Sequence, residues 1–515
     1  MSGPNRLLKN IFTVGAFTSL SRVLGMVREM LQSRLIGAGV EQSAFVLAFA
    51  IPNMARKLFG EGALTAAFVP VFKSEVESGA VESARHLARA VMTMSLMMLS
   101  AIVAIAFIGC EWAQSQSWLF SGSPRAELTF NLVKTLLPYM IFICGAAFGM
   151  GVLNALGRFK AASAMPCLLN VFWIGILAYL AFRPELCVTL RVKAVAWAIL
   201  VAGAAQFAFM LWRMHRSGYT PGLVFSGWRD SKVRTVWRNT VIAAVGAGAV
   251  QINFMLDQVL AQKASPWAAG VIGYAERLMD LPLGVIGVAF GTVLLPTFSG
   301  FFARGDSEGA KKAFASSVTN MMMLMMPAAA GLFTLAGEVT AVIYEGNAFD
   351  SVATARVARA LAVYALGLAF FGYQKSIVPW FQAQKDVKTP LQVAVKMVFL
   401  NAFLNILAVV LLPVEWRHAG LAASTVFCAA VGAVMLTLIA RRRNGPLGLR
   451  GELSRILRIA ASAAMMSAAL YLLKTLIGTA MNRYAALALM IVAGGALYLA
   501  GVFALGLRFS RGAAR

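Results

Sequence analysis

The hydrophobic positions of the chain fall into long stretches separated by short polar connections. A helix needs about 20 apolar residues to cross a bilayer, and fourteen stretches of the 515-residue chain meet that length. The pattern predicts an all-α polytopic membrane protein with about 14 transmembrane helices. The predicted spans are residues 10–37, 43–72, 86–110, 129–156, 161–182, 194–214, 239–262, 267–298, 314–337, 352–384, 390–413, 419–440, 455–477 and 484–507.

The composition supports this class. Hydrophobic residues make up 60% of the chain and charged residues 13%, whereas a soluble domain averages about 25% charged residues. The five cysteines are scattered without a C-x-x-C pair, and the three histidines lie at predicted loop ends. Neither a disulfide framework nor a zinc site is indicated.

The formal net charge of +25 follows from the distribution of lysine and arginine among the loops. Alternate loops are strongly basic, and the opposite loops hold more acids. Cytoplasmic loops of membrane proteins are enriched in basic residues, so we expect both termini to be cytoplasmic and predict no nucleic-acid partner.

The chain also repeats itself at an offset of 226 residues. The span ends Pro70–Phe72 and Pro296–Phe298 correspond, and Gly79 and Glu82 align with Gly305 and Glu308. The repeat predicts two parallel six-helix lobes plus two C-terminal helices, a transporter pattern. The alternative is chance recurrence of proline-aromatic span ends. The predicted domains are residues 1–216, a cytoplasmic linker 217–238, a second lobe 239–443, and helices 13 and 14 in 444–515.

Charged residues are clustered inside three of the predicted spans, residues 10–37, 43–72 and 267–298. A charge at membrane depth costs at least about 2.5–3.5 kcal/mol, so such residues mark a pathway or a binding site. Arginine binds phosphate through two donors at once. We therefore predict that four arginines bind a pyrophosphate or acidic groups, unless they only pair with acids and lock helices together. The arginines are Arg22, Arg28, Arg56 and Arg277, and the supporting charges are Glu29, Lys57, Glu61, Glu276 and Asp280.

Helix-breaking residues coincide with two of these charged spans. The second span carries Pro52, Gly60 and Gly62, and the eighth carries Pro282 and several glycines. Freed backbone groups are tolerated where they line a cavity, so we predict broken helices beside the site in both spans.

A second constellation consists of Asp257, Asn401 and Asn405. Carboxylate and amide oxygens are hard ligands, so these residues form a candidate sodium site. A hydrogen-bond network between helices is the alternative. The chain has no phosphate-binding loop of the ATPase type and no convincing catalytic group, which predicts a transporter and not an enzyme. No cofactor is expected apart from a candidate coupling cation, sodium or proton.

Six segments of the chain have a familiar sequence, namely residues 21–28, 52–63, 68–70, 274–280, 291–296 and 384–390. They resemble the MurJ (MviN) family of lipid II flippases, in the multidrug/oligosaccharidyl-lipid/polysaccharide exporter superfamily. The resemblance covers essentially the whole chain. It departs from some members at Ser43, where they have an acid, and at Glu29, where Asp is common.

The resemblance implies a flippase of the bacterial inner membrane that moves lipid II to the periplasmic leaflet by alternating access. It also implies a central cavity in which the four arginines are required, a groove beside the last two helices for the polyprenyl tail, and sodium binding near Asp257. The expected partners are lipid II or a similar polyprenyl-diphosphate glycolipid, membrane lipids and the cell-wall synthesis machinery. The alternatives are another polyprenyl-pyrophosphate flippase, a cation-coupled drug exporter and a non-transporting scaffold.

Overall fold

The structure of the protein is a computed structural model that describes residues 4–60, 62–115, 124–220, 222–477 and 481–507. These residues form sixteen α-helices, one π-helical turn and one 3-10 turn, and their only extended pairing is an isolated bridge between Gly346 and Phe349. Eleven of these helices are long and apolar enough to cross a membrane. The all-α polytopic class is confirmed, whereas the count of fourteen spans stays a prediction.

The chain divides into two compact units. The first comprises Met1–Val259 with Gly346–Phe349. Among its candidate spans, the helix Pro124–Ala155 is the most buried, and its Phe148 packs on Phe68, which in turn stacks on Phe72. Its helices are α1 Pro4–Ile36, α2 Val40–Ala55, α3 Ala63–Glu77, α4 Val81–Ser115, α5 Pro124–Ala155, α6 Phe159–Ala181, α7 Val188–His215 and, up to the unit boundary, α8 Ser231–Ala264.

The second unit comprises Leu260–Glu345 and Asp350–Arg515. Trp380, Phe298 and Phe314 pack together in its core. Its last two helices pack on α10 and α11 through Met466, Leu470 and Met490. The helices are α9 Ala268–Ala303, α10 Ser307–Thr334, α11 Ala336–Tyr344, α12 Ser351–Ala383, α13 Lys388–Leu411, α14 Val414–Asn444, α15 Leu449–Ile477 and α16 Arg483–Ala504.

The order and spacing of the helices repeat along the chain. Six pairs of helices begin 226 to 229 residues apart, at residues 4 and 231, 40 and 268, 81 and 307, 124 and 351, 159 and 388, and 188 and 414. The connectors before the helices that begin at residues 81 and 307 also resemble each other in detail. Gly79 and Gly305 both adopt the left-handed conformation, with φ of 77° and 72°, and each is followed by an acid–base pair three residues apart, Glu82–Arg85 and Glu308–Lys311.

The two spans that we expected to be broken differ. The second predicted span is interrupted after Ala55 by the π-helical turn Arg56–Gly60, and α3 begins at Ala63. The eighth span is continuous, since α9 runs through both Pro282 and Pro296, so the predicted break there is wrong. A proline inside a membrane helix frees only one carbonyl, which neighbouring groups satisfy, and it need not end the helix.

Candidate functional site

Several neighbouring side chains hold Arg28 on α1 in place. Its side chain is 12% exposed, and that of Glu29 is 14% exposed. The Nη2 atom of Arg28 donates to Oε1 of Glu29 at 2.5 Å. The pair is therefore partly removed from solvent, where an ion pair is stronger than at an exposed surface.

Helix α6 provides two further contacts to the same guanidinium. The Nη1 atom of Arg28 donates to Oδ1 of Asn170 at 3.1 Å, and the guanidinium carbon lies 4.2 Å from the ring centroid of Trp173. Nδ2 of Asn170 donates in turn to the carbonyl oxygen of Ser21 at 3.1 Å. Arg28 is thus held by a carboxylate, an amide and an aromatic face, and α1 is joined to α6.

The network extends from Trp173 to α2. Nε1 of Trp173 donates to Oε1 of Gln32 at 2.9 Å, and Nε2 of Gln32 donates to Oε1 of Gln42 at 3.0 Å. Gln32, Gln42, Asn170 and Trp173 are each at most 5% exposed. Buried polar groups that satisfy one another fix side-chain positions. Our sequence analysis missed these four residues, although three are amides within or beside apolar spans, which is a readable signal.

Arg22 and Arg28 occupy different environments on the same helix. Six residues of α-helix rotate the side-chain direction by about 600°, or roughly 120° net. In agreement, Arg22 is exposed whereas Arg28 is partly buried. An exposed arginine on a helix of this kind is accessible to an anion, while the geometry of Arg28 is already set by the protein.

Arg56 and Lys57 open the π-helical turn that separates α2 from α3. Nε and Nη2 of Arg56 both donate to Oδ1 of Asn53, at 3.3 and 2.9 Å. Lys57 is exposed, with its Nζ atom 5.2 Å from the ring centroid of Phe254 on α8. π-Helical turns are frequent at functional sites. Glu61, the remaining charge predicted here, lies outside the described residues.

The charged residues of the second unit that belong to the candidate site lie in the first half of α9. Oε1 of Glu276 accepts from the hydroxyl of Tyr364 on α12 at 3.2 Å. Arg277 and Asp280 are exposed. The tyrosine restrains the carboxylate without neutralising it. Whether these residues and the first-unit arginines share one cavity stays a prediction.

The candidate sodium ligands lie in different units. In the first, Nδ2 of Asn253 donates to Oδ2 of Asp257 at 3.3 Å. In the second, Nδ2 of Asn405 donates to Oδ1 of Asn401 at 2.9 Å, and Nδ2 of Asn401 donates to Oγ1 of Thr425 at 3.5 Å. The described residues contain no cluster of three or more His, Cys, Asp or Glu side chains suited to a metal. The sodium site stays a prediction.

Comparison with known families identifies the protein class. The family model described as "Lipid II flippase MurJ" matches residues 32–491. The chain belongs to the MurJ family. A probable lipid II flippase MurJ of Rhizobium tropici is 31% identical over 512 residues, covering 97% of this chain and 94% of the relative. A lipid II flippase MurJ of Burkholderia cenocepacia is 31% identical, covering 85% and 84%.

Solved structures with the same fold come from MurJ and from related exporters. A lipid II flippase MurJ in an inward closed conformation superposes with a TM-score of 0.79 at 22% identity, covering 96% of this chain and 98% of that one. An inward-facing MATE multidrug transporter gives 0.69 at 16% identity, covering 83% and 95%. The resemblance to the MurJ family is confirmed.

Membership of the MurJ family fixes the broad class of the protein. The family is one of flippases, so the chain is a transporter and not an enzyme, as we predicted. Together with the eleven apolar helices, it makes the protein a multi-pass protein of the bacterial inner membrane.

Proposed function

We propose that the protein moves lipid II from the cytoplasmic to the periplasmic leaflet by alternating access. The observation that carries the proposal is the match of the lipid II flippase family model to residues 32–491. Charged side chains on α1, in the π-helical turn and on α9 agree with it. A transporter of a diphosphate lipid needs cations at membrane depth, and such cations are retained only where they serve a function or a partner.

The four arginines have distinct roles in this proposal. Arg22, exposed on α1, and Arg277, exposed on α9, bind diphosphate or acidic groups of the headgroup directly. Arg28 and Arg56 present guanidinium groups whose orientation is set by Asn170 and Asn53. Orientation in advance reduces the entropy lost on binding.

Alternating access is supported by the range of states that share this fold. Inward-facing and outward-facing MATE transporters superpose on the chain with TM-scores of 0.69 and 0.57. Both are 15–16% identical to it, so the comparison concerns the fold alone. A cationic drug as substrate is disfavoured, because a drug exporter needs acids and aromatic groups where this chain places arginines.

The deciding experiment combines depletion with substitution of each arginine by alanine. Cells depleted of the protein should accumulate lipid II that an impermeant lipid II-cleaving enzyme cannot reach. Arg22→Ala, Arg28→Ala, Arg56→Ala and Arg277→Ala should each fail to restore cleavage at wild-type protein levels, and lysine at these positions should restore it partly. Arg441→Ala, at an exposed position at the end of α14, is the matched control and should be active.

Two outcomes separate the alternatives. Accumulation of a different polyprenyl-diphosphate glycolipid would show that the substrate within this chemical class is wrong. Full activity of all four alanine variants at native expression would show that the headgroup binds elsewhere. A scaffold that does not transport would also tolerate these changes, but its depletion would leave lipid II accessible.

The proposed direction requires both termini to be cytoplasmic. The α6–α7 connection is then periplasmic, and it contains Cys187, the one exposed cysteine among the described residues. An impermeant thiol reagent should label the protein in intact cells, and Cys187→Ser should abolish the label. In that background Ser78→Cys, exposed in the α3–α4 connection, should react only after lysis. The reverse pattern would invert the orientation.

Coupling to a cation at Asp257 is the least supported part of the proposal. Moving one charge through 100 mV is worth about 2.3 kcal/mol, so a positively charged site can use the membrane potential alone. Asp257→Asn preserves size and hydrogen bonding while removing the charge. If sodium or a proton binds there, this variant should lose the ion dependence and most of the rate. An unchanged response to both ions would exclude Asp257 as the coupling residue.

A further inference from the structure

The connection between α7 and α8 is fixed to the first unit by hydrogen bonds from α4. Nε of Arg85 donates to the carbonyl oxygen of Gly218 at 2.7 Å, and Nε of Arg89 donates to that of Thr220 at 2.8 Å. The backbone N–H of Val224 donates to Oγ1 of Thr93 at 3.1 Å. The predicted linker is therefore an ordered part of this unit.

The 3-10 turn Phe225–Arg229 packs closely on the same helix. Gly227 is buried, and a Cβ atom there would lie 2.9 Å from Cβ of Ala90 and 3.4 Å from Sδ of Met94. Only glycine permits this approach without displacement. After the turn, Nζ of Lys232 lies 2.7 Å from Oε2 of Glu75. The turn is thus attached on both sides.

Three large apolar side chains of this fixed segment point away from the protein. Leu223, Phe225 and Trp228 are 68%, 69% and 66% exposed. Because the backbone around them is hydrogen-bonded and packed, their exposure is a property of the fold. We call these three side chains the linker apolar patch. Exposed apolar side chains that are grouped in this way mark a surface that a membrane or another protein covers.

The position of the patch along α4 indicates what covers it. Arg89 is the last charged residue before an uncharged stretch, residues 90–110, within a helix apolar enough to span the bilayer. Ala90, Thr93 and Met94, which contact the turn, are the first residues of that stretch. The turn therefore lies at the depth where the hydrocarbon core begins, which is where tryptophan is enriched in membrane proteins.

Basic residues flank the patch along the chain. Arg216, Arg229 and Arg234 are exposed. The nearest acids are engaged, since Asp230 lies 3.4 Å from His86 and Glu75 binds Lys232. Segments that lie in a membrane interface and attract anionic lipids combine apolar side chains with exposed arginines in this way.

We propose that the α7–α8 connection is an interfacial anchor that binds anionic phospholipid headgroups. Leu223, Phe225 and Trp228 enter the boundary between headgroups and acyl chains, and Arg229 and Arg234 bind the lipid phosphates. By the charge distribution of the loops, the leaflet is the cytoplasmic one. The anchor fixes the first unit to the bilayer surface and is independent of which lipid is transported.

The immersion of the patch is tested with the full-length protein in nanodiscs. In a Cys187→Ser background, Phe225→Cys and Trp228→Cys should react about tenfold more slowly with a water-soluble thiol reagent than Ser78→Cys. Ser78 is the matched control because it is exposed and precedes Val81, the first residue of α4. Val81 itself lies about 13 Å before Ala90 at the rise of an α-helix. Equal rates at all three sites would overturn the proposal and leave a cytoplasmic protein as the occupant.

The lipid preference is tested separately. Nanodiscs containing phosphatidylglycerol should protect Phe225→Cys more than nanodiscs of phosphatidylcholine alone. The double variant Arg229→Gln/Arg234→Gln should lose this difference, while Arg441→Gln/Arg442→Gln, which removes the same charge at exposed positions of α14, should keep it. Protection that ignores both the lipid and the arginines would overturn the anionic-lipid assignment. Lipid II transport plays no part in either measurement.

Discussion

The two copies of the helix repeat differ in the continuity of their second membrane segment. In the first copy, residues 40–77 form α2, a π-helical turn and α3, while in the second the corresponding residues form the single helix α9. Both segments carry prolines and glycines, and both carry charges of the candidate site. Composition alone therefore does not decide whether a membrane helix breaks.

The difference is explained by what surrounds one glycine. A Cβ atom at Gly62 would lie 2.5 Å from the backbone oxygen of Lys57, so the chain can make this turn only without a side chain. In α9, a Cβ atom at Gly291 meets no described atom within 4 Å. The first glycine permits a close backbone approach, whereas the second is accommodated in an ordinary helix. The break therefore coincides with a local backbone approach between Lys57 and Gly62, and helix propensity alone does not explain it.

The largest difference between the two segments is expected when a methyl group is added at Gly62 and at Gly291. Gly62→Ala should lower the free energy of unfolding by about 2 kcal/mol or more and abolish complementation, because the Lys57 carbonyl has to move. Gly291→Ala should retain transport and be neutral or stabilising, since alanine favours a helix over glycine by about 1 kcal/mol. Thermal unfolding in detergent and growth at matched expression measure both. Similar behaviour of the two variants would remove the distinction.

The charged residues of the two segments offer a smaller contrast. Asn53→Leu removes the acceptor of two donors of Arg56, and a hydrogen bond to a charged group is worth about 1.5–3 kcal/mol. Transport should fall about tenfold. Tyr364→Phe removes one bond to Glu276 and should have a weaker effect. The ratio of flipping rates in proteoliposomes is the measurement, and a larger loss for Tyr364→Phe would reverse the order.

Replacing Pro282 tests whether the continuous helix α9 needs its proline. Pro282→Ala should leave growth and transport within about twofold of the wild type, since α9 is helical on both sides of this residue and alanine restores the missing hydrogen bond. A loss of transport with normal stability would mean that α9 must bend at Pro282 during the cycle.

The smallest expected effect concerns a connector. Gly157 lies in the α5–α6 connection with φ of 73°, whereas Lys385 adopts φ of 61° in the corresponding α12–α13 connection. Left-handed backbone costs a non-glycine residue about 1–2 kcal/mol, so Lys385→Gly should raise the melting temperature slightly. No increase would show that the Lys385 side chain compensates for the strain.

The neighbouring Asp386 makes the same connector sensitive to acid. Hydrogen bonds from Thr389, together with the guanidinium of Arg443, lower the pKa of Asp386 to about 2 from 3.8. Its contribution to stability is therefore present above pH 3.8 and is lost as the pH falls towards 2. Asp386→Asn should flatten the stability profile in this window.

The membrane class, the repeat and the family could be predicted from the sequence, because many positions encode each of them. The charged residues on α1 were also visible, since Arg28 and Glu29 stand out in an apolar span. The partners of Arg28 were not, because Asn170 is 142 residues away along the chain and helix pairing cannot be derived from periodicity. The supposed break in α9 failed for a related reason. A proline shows which hydrogen bond is missing, but only the fold shows whether the helix continues.

The polar contacts of α1 have a consequence for synthesis of the protein. Arg28 is held partly by Asn170, a residue of α6. At about 5–20 residues per second, α6 emerges from the ribosome roughly 10–30 s after α1. During that interval the charged helix has no lateral partner from α6. Arg28 can make its hydrogen bond to Asn170 only after α6 has been inserted, so α1 reaches its final packing after a helix that is made later.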